Sequence, residues 1–86
     1  KIIFLTDTPG VLDDNKTLLS ALNPKEIKKY IDSGIISGGM LPKISASLEA
    51  INNDVKTAHI IDGRIQHSVL LEIFTNEGIG TLVKNG

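Results

Sequence analysis

The sequence contains no cysteine, only three aromatic residues, no excess of basic side chains and no long apolar run. Without cysteine no disulfide framework can form, and the redox compartment is left open. Three aromatics are too few for a base-stacking platform, and a formal net charge of −1 lacks the basic face that nucleic acid requires. No apolar run approaches the roughly 20 residues of a membrane helix. We therefore expect neither a nucleic-acid partner nor a membrane partner.

The length and composition predict one small globular unit. The chain has 86 residues, of which 41% are hydrophobic, so a single small core is expected rather than disorder. It opens with "KIIFL", inside an apolar run and without an initiator methionine. We therefore expect residues 1–86 to be a piece of a longer chain. No internal repeat or interdomain linker interrupts it.

Apolar runs alternate with helical patterns along the chain. The runs predict strands over 2–5, 57–61 and 81–83, and the helical spacings predict helices from Pro24 to Gly34, over 42–52 and over 67–75. A polar turn at 13–16 between short apolar pieces predicts a small hairpin. Strands that alternate with helices indicate an α/β fold with a mainly parallel sheet.

The first two helices have distinct sequence signals. Asn23, Pro24 and Glu26 form a helix start with a reciprocal cap, and Gly34 provides a left-handed end. The second helix repeats apolar residues at spacings of three and four, at Leu41, Ile44, Leu48 and Ile51. This stripe is expected to be buried, with Lys43, Ser47 and Ala50 lying off it.

Lys43 follows a glycine pair at the expected start of the second helix, in "SGIISGGMLPKIS". The helix dipole disfavours a positive charge there. Backbone N–H groups at a helix start, exposed by Gly38 and Gly39, suit an anion, and a lysine beside them suits a phosphoryl group in transfer. The alternative is a solvated lysine on a helix surface. No Gly-Lys-Ser/Thr run exists, so the motif is not a P-loop.

Two loops follow predicted strands at the end where α/β sheets bind ligands, namely 7–10 and 62–64. The helix start at 38–43 should lie near one of them. The first loop, "DTPG", resembles the Asp-x-x-Gly switch of P-loop GTPases, but the phosphate loop and the Asn-Lys-x-Asp motif of those proteins are missing. An ordinary turn, set by Pro9 and Gly10, is the default interpretation and still permits backbone contacts to a nucleotide.

Further titratable residues lie in apolar surroundings. His59 is placed within a predicted strand, and Glu72 within an apolar helical stretch. The two could together bind a cationic small molecule, although a core histidine and a helix-edge carboxylate are the simpler interpretations. His67 is read as a helix-start residue and Asp62 as a turn residue. No His/Asp/Glu cluster has metal-ligand spacing, so we predict no metal-binding residues.

Three stretches together carry a family resemblance: "IIFLTDTPGVL", "IDSGIISGGMLPK" and "AHIIDGRIQHSVLLEIFTNEGIGT". They resemble the C-terminal part of the N-acetylglutamate kinases, within the amino acid kinase family. The resemblance implies a three-layer αβα sandwich, of which residues 1–86 would form the C-terminal ATP-binding part. It further implies the use of ATP and Mg²⁺ to phosphorylate the side-chain carboxylate of N-acetyl-L-glutamate in arginine biosynthesis.

The resemblance also implies roles for individual residues. Lys43 matches the lysine that stabilises the transferring phosphoryl group. The positions that match ATP-binding segments are Asp7, Thr8, Pro9, Gly10, Val11, Leu12, Ile35, Ile36 and Ser37. His59, Glu72 and the backbone near Gly78 match residues that hold the inhibitor in arginine-sensitive members. Such members form hexamers, some relatives bind a signalling protein, and the implied compartment is the cytoplasm or a plastid stroma.

Other residues of the family pattern are missing from 1–86. A Lys-x-Gly-Gly phosphate loop, a second catalytic lysine, a substrate-binding arginine and an organising aspartate would lie upstream of Lys1. We therefore expect the 86-residue piece to be inactive alone and to expose an unpaired sheet edge. The alternatives are a non-catalytic arginine-sensing or partner-binding module, or a family member acting on carbamate, UMP, aspartate or glutamate.

Overall fold

The computed structural model describes residues 1–64 and 80–86, so the helix predicted over 67–75 lies outside the described residues. The described elements, in chain order, are β1 (Ile2–Thr6), β2 (Ala21–Leu22), α1 (Pro24–Asp32), α2 (Met40–Asn52), β3 (Thr57–Asp62) and β4 (Thr81–Lys84). In the described part of the chain, no helix has the length and apolarity needed to cross a bilayer.

The four strands form one mixed sheet in the order β1-β3-β4-β2. β1 is parallel to β3 and β2 is parallel to β4, whereas β4 runs antiparallel to β3. Two of the three pairings are therefore parallel, which confirms the predicted α/β class and the mainly parallel sheet. The opposite direction of β4 was not predicted by the sequence pattern.

A single cluster of aliphatic side chains forms the core. Its buried members are Val11, Leu22, Ile27, Ile36, Ile44, Ile51, Ala58, Ile60 and Val83. Ile61 is also fully buried although, next to Ile60, it points to the opposite face of β3. Side chains on both faces of β3 are therefore buried.

Helix α2 begins at Met40, two residues before the predicted start. Its predicted stripe is confirmed, because Ile44 and Ile51 are buried and the two leucines of the stripe pack against the core. The expectation that Ser47 lies off the buried face was wrong, since Ser47 is fully buried. Its hydroxyl donates to the Lys43 carbonyl at 2.8 Å, so burial leaves no unsatisfied polar group.

The ends of α1 match their sequence signals. Asn23 Oδ1 accepts from the Glu26 N–H at 2.8 Å, and Glu26 Oε1 accepts from the Asn23 N–H at 3.1 Å. Gly34 follows the helix with φ of 82°, the left-handed conformation that was predicted. Before α1, a bridge between Leu12 and Leu18 closes the expected small hairpin.

β1 forms one edge of the described sheet, since its only partner there is β3. Leu5 on this strand is 51% exposed, the one large apolar side chain so exposed among the described residues. The expectation that upstream strands would pair with this edge stays a prediction.

Candidate functional site

A cleft of about 730 Å³ lies where β1 and β3 end and α2 begins. Its walls are formed by Leu5, Thr6, Asp7, Thr8, Ser37, Gly39, Met40, Lys43, Gly63 and Arg64. The sequence predicted that the loops at 7–10 and 62–64 lie at one end of the sheet, near the helix start at 38–43. The structure brings all three segments together in this cleft.

Strand register places the two loops side by side. Thr6, the last residue of β1, is paired with Asp62, the last residue of β3. Because β1 and β3 are parallel, both strands lead into their loops at the same end of the sheet, at the carboxyl ends of the strands. The Gly63 N–H donates to the Thr6 carbonyl at 2.8 Å and ties the end of β1 to the loop that follows β3.

The N-terminus of α2 is open toward ligands. Its first turn has no side-chain cap and no acidic residue. A Cβ atom at Gly38 or Gly39 would meet nothing within 4 Å. Within residues 1–64 and 80–86, the amides of these glycines donate to no acceptor, so two N–H groups beside the cleft are available for an anion.

Lys43 supplies an uncompensated positive charge to the cleft. It lies in the fourth position of α2, half-buried on the cleft wall. Among the described residues no carboxylate lies within ion-pair distance of its ammonium group. An unpaired cation beside open amides at a helix N-terminus is the arrangement expected of a phosphate-binding site.

Arg64 is fixed on the neighbouring wall by a bidentate pair with Asp62. Asp62 Oδ1 accepts from the Arg64 backbone N–H and from Nε, each at 2.9 Å, and Oδ2 accepts from Nη2 at 2.8 Å. The Asp62 side chain is only 8% exposed, whereas that of Arg64 is 60% exposed. The interpretation of Asp62 as a simple turn residue therefore missed this pair.

The same hydrogen bonds shift both ionisation equilibria. Bonds from the Arg64 guanidinium and backbone N–H hold the pKa of Asp62 below its ordinary value. Bonding to Asp62 raises the pKa of Arg64, and the charge of Asp7 raises it further. The cleft therefore keeps both Asp62 and Arg64 charged over the physiological pH range.

Replacing Asp62 with asparagine is expected to destabilise the full-length protein at neutral pH but hardly at all in strong acid. The folded-state pKa of Asp62 is depressed, so its stabilisation is complete above the unfolded value of about 4 and disappears as pH falls through the folded value. Denaturant midpoints of both proteins at pH 7 and near the acid limit of folding measure this. A difference that stays constant with pH would contradict the assigned pair.

The residues predicted to bind ATP are distributed unevenly around the cleft. Asp7, Thr8 and Ser37 line it. Gly10, Val11 and Ile36 are buried, the last two within the core. Pro9, Leu12 and Ile35 do not lie on its walls.

The predicted arginine-binding residues lie elsewhere or outside the described residues. His59 is in the middle of β3, three residues before the strand end at the cleft, with Nε2 3.2 Å from Thr57 Oγ1. Glu72 and Gly78 lie outside the described residues. The arginine site of these three residues therefore stays a prediction.

Asp7 is the cleft residue whose carboxylate could contact a metal ion. No group of three or more His, Cys, Asp or Glu residues that could hold a metal occurs in residues 1–64 and 80–86. Mg²⁺ is usually held by substrate phosphates with one or two carboxylates. Both oxygens of the Asp62 carboxylate are hydrogen-bonded to Arg64. Asp7 is therefore the carboxylate on the cleft wall that is available to a metal ion.

Comparison with known proteins assigns the family. The amino acid kinase family profile matches residues 1–62. The chain belongs to the amino acid kinase family. The cleft at the carboxyl ends of β1 and β3 is thus part of an amino acid kinase fold, as the resemblance implied.

Curated relatives within this family are close over the whole chain. The chain is 62% identical over 86 residues to an acetylglutamate kinase of Nitratiruptor sp., covering 100% of the chain and 30% of that relative. It is 57% identical over 84 residues to an acetylglutamate kinase of Thiobacillus denitrificans, covering 98% and 29%. The chain therefore spans about 30% of the length of these relatives.

A solved structure shows a similar arrangement at lower identity. It is the N-acetylglutamate synthase from Neisseria gonorrhoeae, complexed with coenzyme A and L-arginine. The TM-score is 0.85 at 26% identity, over 98% of this amino acid kinase chain and 19% of the synthase chain.

Proposed function

We propose that the full-length protein is an acetylglutamate kinase and that residues 1–86 form its C-terminal ATP-binding part. The observation that carries this proposal is the cleft, in which the unpaired Lys43 stands at an uncapped glycine-rich helix N-terminus beside the ends of two parallel strands. Two relatives that are 57% and 62% identical over nearly the whole chain are named acetylglutamate kinase, which supports the acceptor.

The proposed reaction transfers the γ-phosphoryl group of ATP to the side-chain carboxylate of N-acetyl-L-glutamate. A carboxylate oxygen forms a bond to the γ-phosphorus while the bond to the bridging oxygen breaks, so that ADP leaves and N-acetyl-L-glutamyl 5-phosphate forms. Negative charge spreads over the equatorial oxygens, and the Lys43 ammonium stabilises it there. The amides of Gly38 and Gly39 can donate to the same phosphates.

The other residues of the cleft would bind and orient the nucleotide. The proposed ATP-binding segments are 7–12 and 35–37, of which Asp7, Thr8 and Ser37 reach the cleft. Arg64, whose guanidinium is paired with Asp62, would offer its remaining N–H donors to the nucleotide. Mg²⁺ would supply further charge neutralisation at the phosphates, and Asp7, which lines the cleft, would be the carboxylate that holds it.

We further propose that arginine inhibits the enzyme through His59, Glu72 and the backbone near Gly78. The synthase structure supports this, because that relative is complexed with L-arginine and its fold matches this chain over 98% of the chain's length. A carboxylate such as Glu72 suits the guanidinium or the α-amino group of arginine. The proposal includes a homo-oligomer, a hexamer if arginine inhibits, and leaves room for a signalling-protein partner. Because the relatives named above are bacterial, the proposed compartment is the cytoplasm.

Release of ADP by the full-length protein tests the assignment. N-acetyl-L-glutamate, carbamate, UMP, aspartate and glutamate would be offered separately with ATP and Mg²⁺, with and without arginine. Of these acceptors, we expect only N-acetyl-L-glutamate to be phosphorylated. Arginine should suppress this turnover in the wild-type protein but not in the His59→Asn variant. Turnover with another acceptor would reassign the chain within the family. Arginine binding without turnover would favour a non-catalytic sensing module.

A further inference from the structure

Thr81, the first described residue of β4, makes two long-range hydrogen bonds through one buried hydroxyl. The side chain is 1% exposed. Thr81 Oγ1 accepts from the Val11 N–H at 2.9 Å and donates to the Leu19 carbonyl at 2.7 Å. The hydroxyl uses its single proton in one bond and a lone pair in the other, so it joins both sides of the 11–19 hairpin to the sheet.

The backbone around Val11 lies directly against this strand. A Cβ atom at Gly10 would lie 2.9 Å from Thr81 Oγ1 and 3.2 Å from the Gly80 Cα. Gly10 also has a φ of 153°, which other residues rarely adopt. The close approach therefore depends on glycine at this position, and it brings the Val11 N–H within reach of the hydroxyl.

Segment 7–12 crosses the end of the sheet between two anchors. It leaves β1, passes the end of β3 and reaches β4, because β3 lies between those strands. The bond from Gly63 to the Thr6 carbonyl fixes the near end, and Thr81 fixes the far end at Val11. Between them, Thr8 Oγ1 donates to the Gly10 carbonyl at 2.8 Å. The hydroxyl of Thr81 is thus linked through Val11 and Gly10 to a residue of the cleft wall.

We propose that Thr81 is a positioning residue for nucleotide binding. Its hydroxyl holds segment 7–12 against β4, so that Asp7 and Thr8 keep their place on the cleft wall. Thr81 itself does not line the cleft and acts through Val11. This inference rests on the proposed binding of ATP in the cleft.

Nucleotide affinity of full-length variants tests the role. Thr81→Val keeps the shape but removes both bonds, Thr81→Ser keeps the hydroxyl, and Thr17→Val is the control because the Thr17 side chain is exposed. We expect Thr81→Val to raise the Kd and KM for ATP about tenfold, a loss typical of a hydrogen bond, with kcat within about twofold. Thr81→Ser and Thr17→Val should stay close to the wild-type values.

Each result decides the proposal. An unchanged Kd in Thr81→Val, or a loss that serine does not restore, overturns it. If the wild-type protein binds no ATP, the proposed function has failed instead. If Thr81→Val does not fold, amide exchange of the wild type decides, because the Val11 N–H should be protected and should become more protected with a non-hydrolysable ATP analogue. Val11 exchange that is insensitive to the nucleotide contradicts the role.

Discussion

Replacing Lys43 with alanine in the full-length protein is expected to lower kcat for phosphoryl transfer by about 100-fold or more. The ammonium group is the unpaired cation of the cleft among the described residues, and its attraction for the transferring group grows as charge develops on the phosphoryl oxygens. ATP affinity should fall much less, because the proposed contacts of the ground-state triphosphate with the amides of Gly38 and Gly39 would remain. Steady-state ADP release and nucleotide titration measure the two effects separately.

Lys28→Ala is the matched control for this prediction. Lys28 is an exposed lysine on α1, away from the cleft walls, so its removal changes the net charge by the same amount. Its kcat should equal that of the wild type. If Lys43→Ala has a near-normal kcat, or if kcat falls equally in both variants, Lys43 is a solvated surface lysine and not a catalytic residue.

Gly80→Ala is expected to destabilise the full-length protein by about 3 kcal/mol, or to prevent its folding. Gly80 has a φ of 102°, and a Cβ atom there would lie 2.3 Å from the Ile60 carbonyl oxygen and 3.0 Å from the Ile61 Cα. Both neighbours are backbone atoms of a strand buried on both faces, so they cannot move aside cheaply. Denaturant midpoints or soluble yield would report the loss.

Gly34→Ala separates the steric clash from backbone strain. Gly34 also has a positive φ, of 82°, but a Cβ atom there would meet nothing within 4 Å. Its cost should be only the 1–2 kcal/mol, roughly, of a left-handed non-glycine residue. Equal destabilisation by the two substitutions would show that the packing of Gly80 against β3 is not decisive.

Features that depend on neighbouring residues were predicted well. The start of α1 follows from Asn23, Pro24 and Glu26, whose hydrogen-bonding groups act within one helical turn. The position of the cleft was also predicted from the sequence, because the loops that follow parallel strands lie at the same end of the sheet whatever the details of packing. Both predictions needed only local pattern and a general rule of α/β sheets.

Features that depend on distant partners were not predicted. The direction of β4 depends on how the chain returns to the sheet, which periodicity does not specify. Ser47 is hydrophilic by type, yet its bond to the Lys43 carbonyl makes burial inexpensive. Thr81 looks like an ordinary strand threonine in the sequence, and only the fold shows its partners 62 and 70 residues away.

The Asp62–Arg64 pair lies between these two cases. The sequence "DGR" places the aspartate and the arginine two residues apart, which permits an ion pair, but the same sequence is also typical of a plain turn. The folded structure shows that both carboxylate oxygens accept hydrogen bonds from the guanidinium. The role of Lys43 was suggested by the glycine-rich helix start and assigned by the family resemblance, while the structure contributes the shared cleft of Asp7, Thr8, Ser37 and Lys43.

The most direct test of the central claim is a crystal structure of the full-length protein with Mg²⁺ and a non-hydrolysable ATP analogue. We predict that the β- and γ-phosphates lie in the cleft, with oxygens within about 4 Å of the Lys43 ammonium and close to the amides of Gly38 and Gly39. Triphosphate bound elsewhere, with this cleft vacant and Lys43 in solvent, would contradict the account.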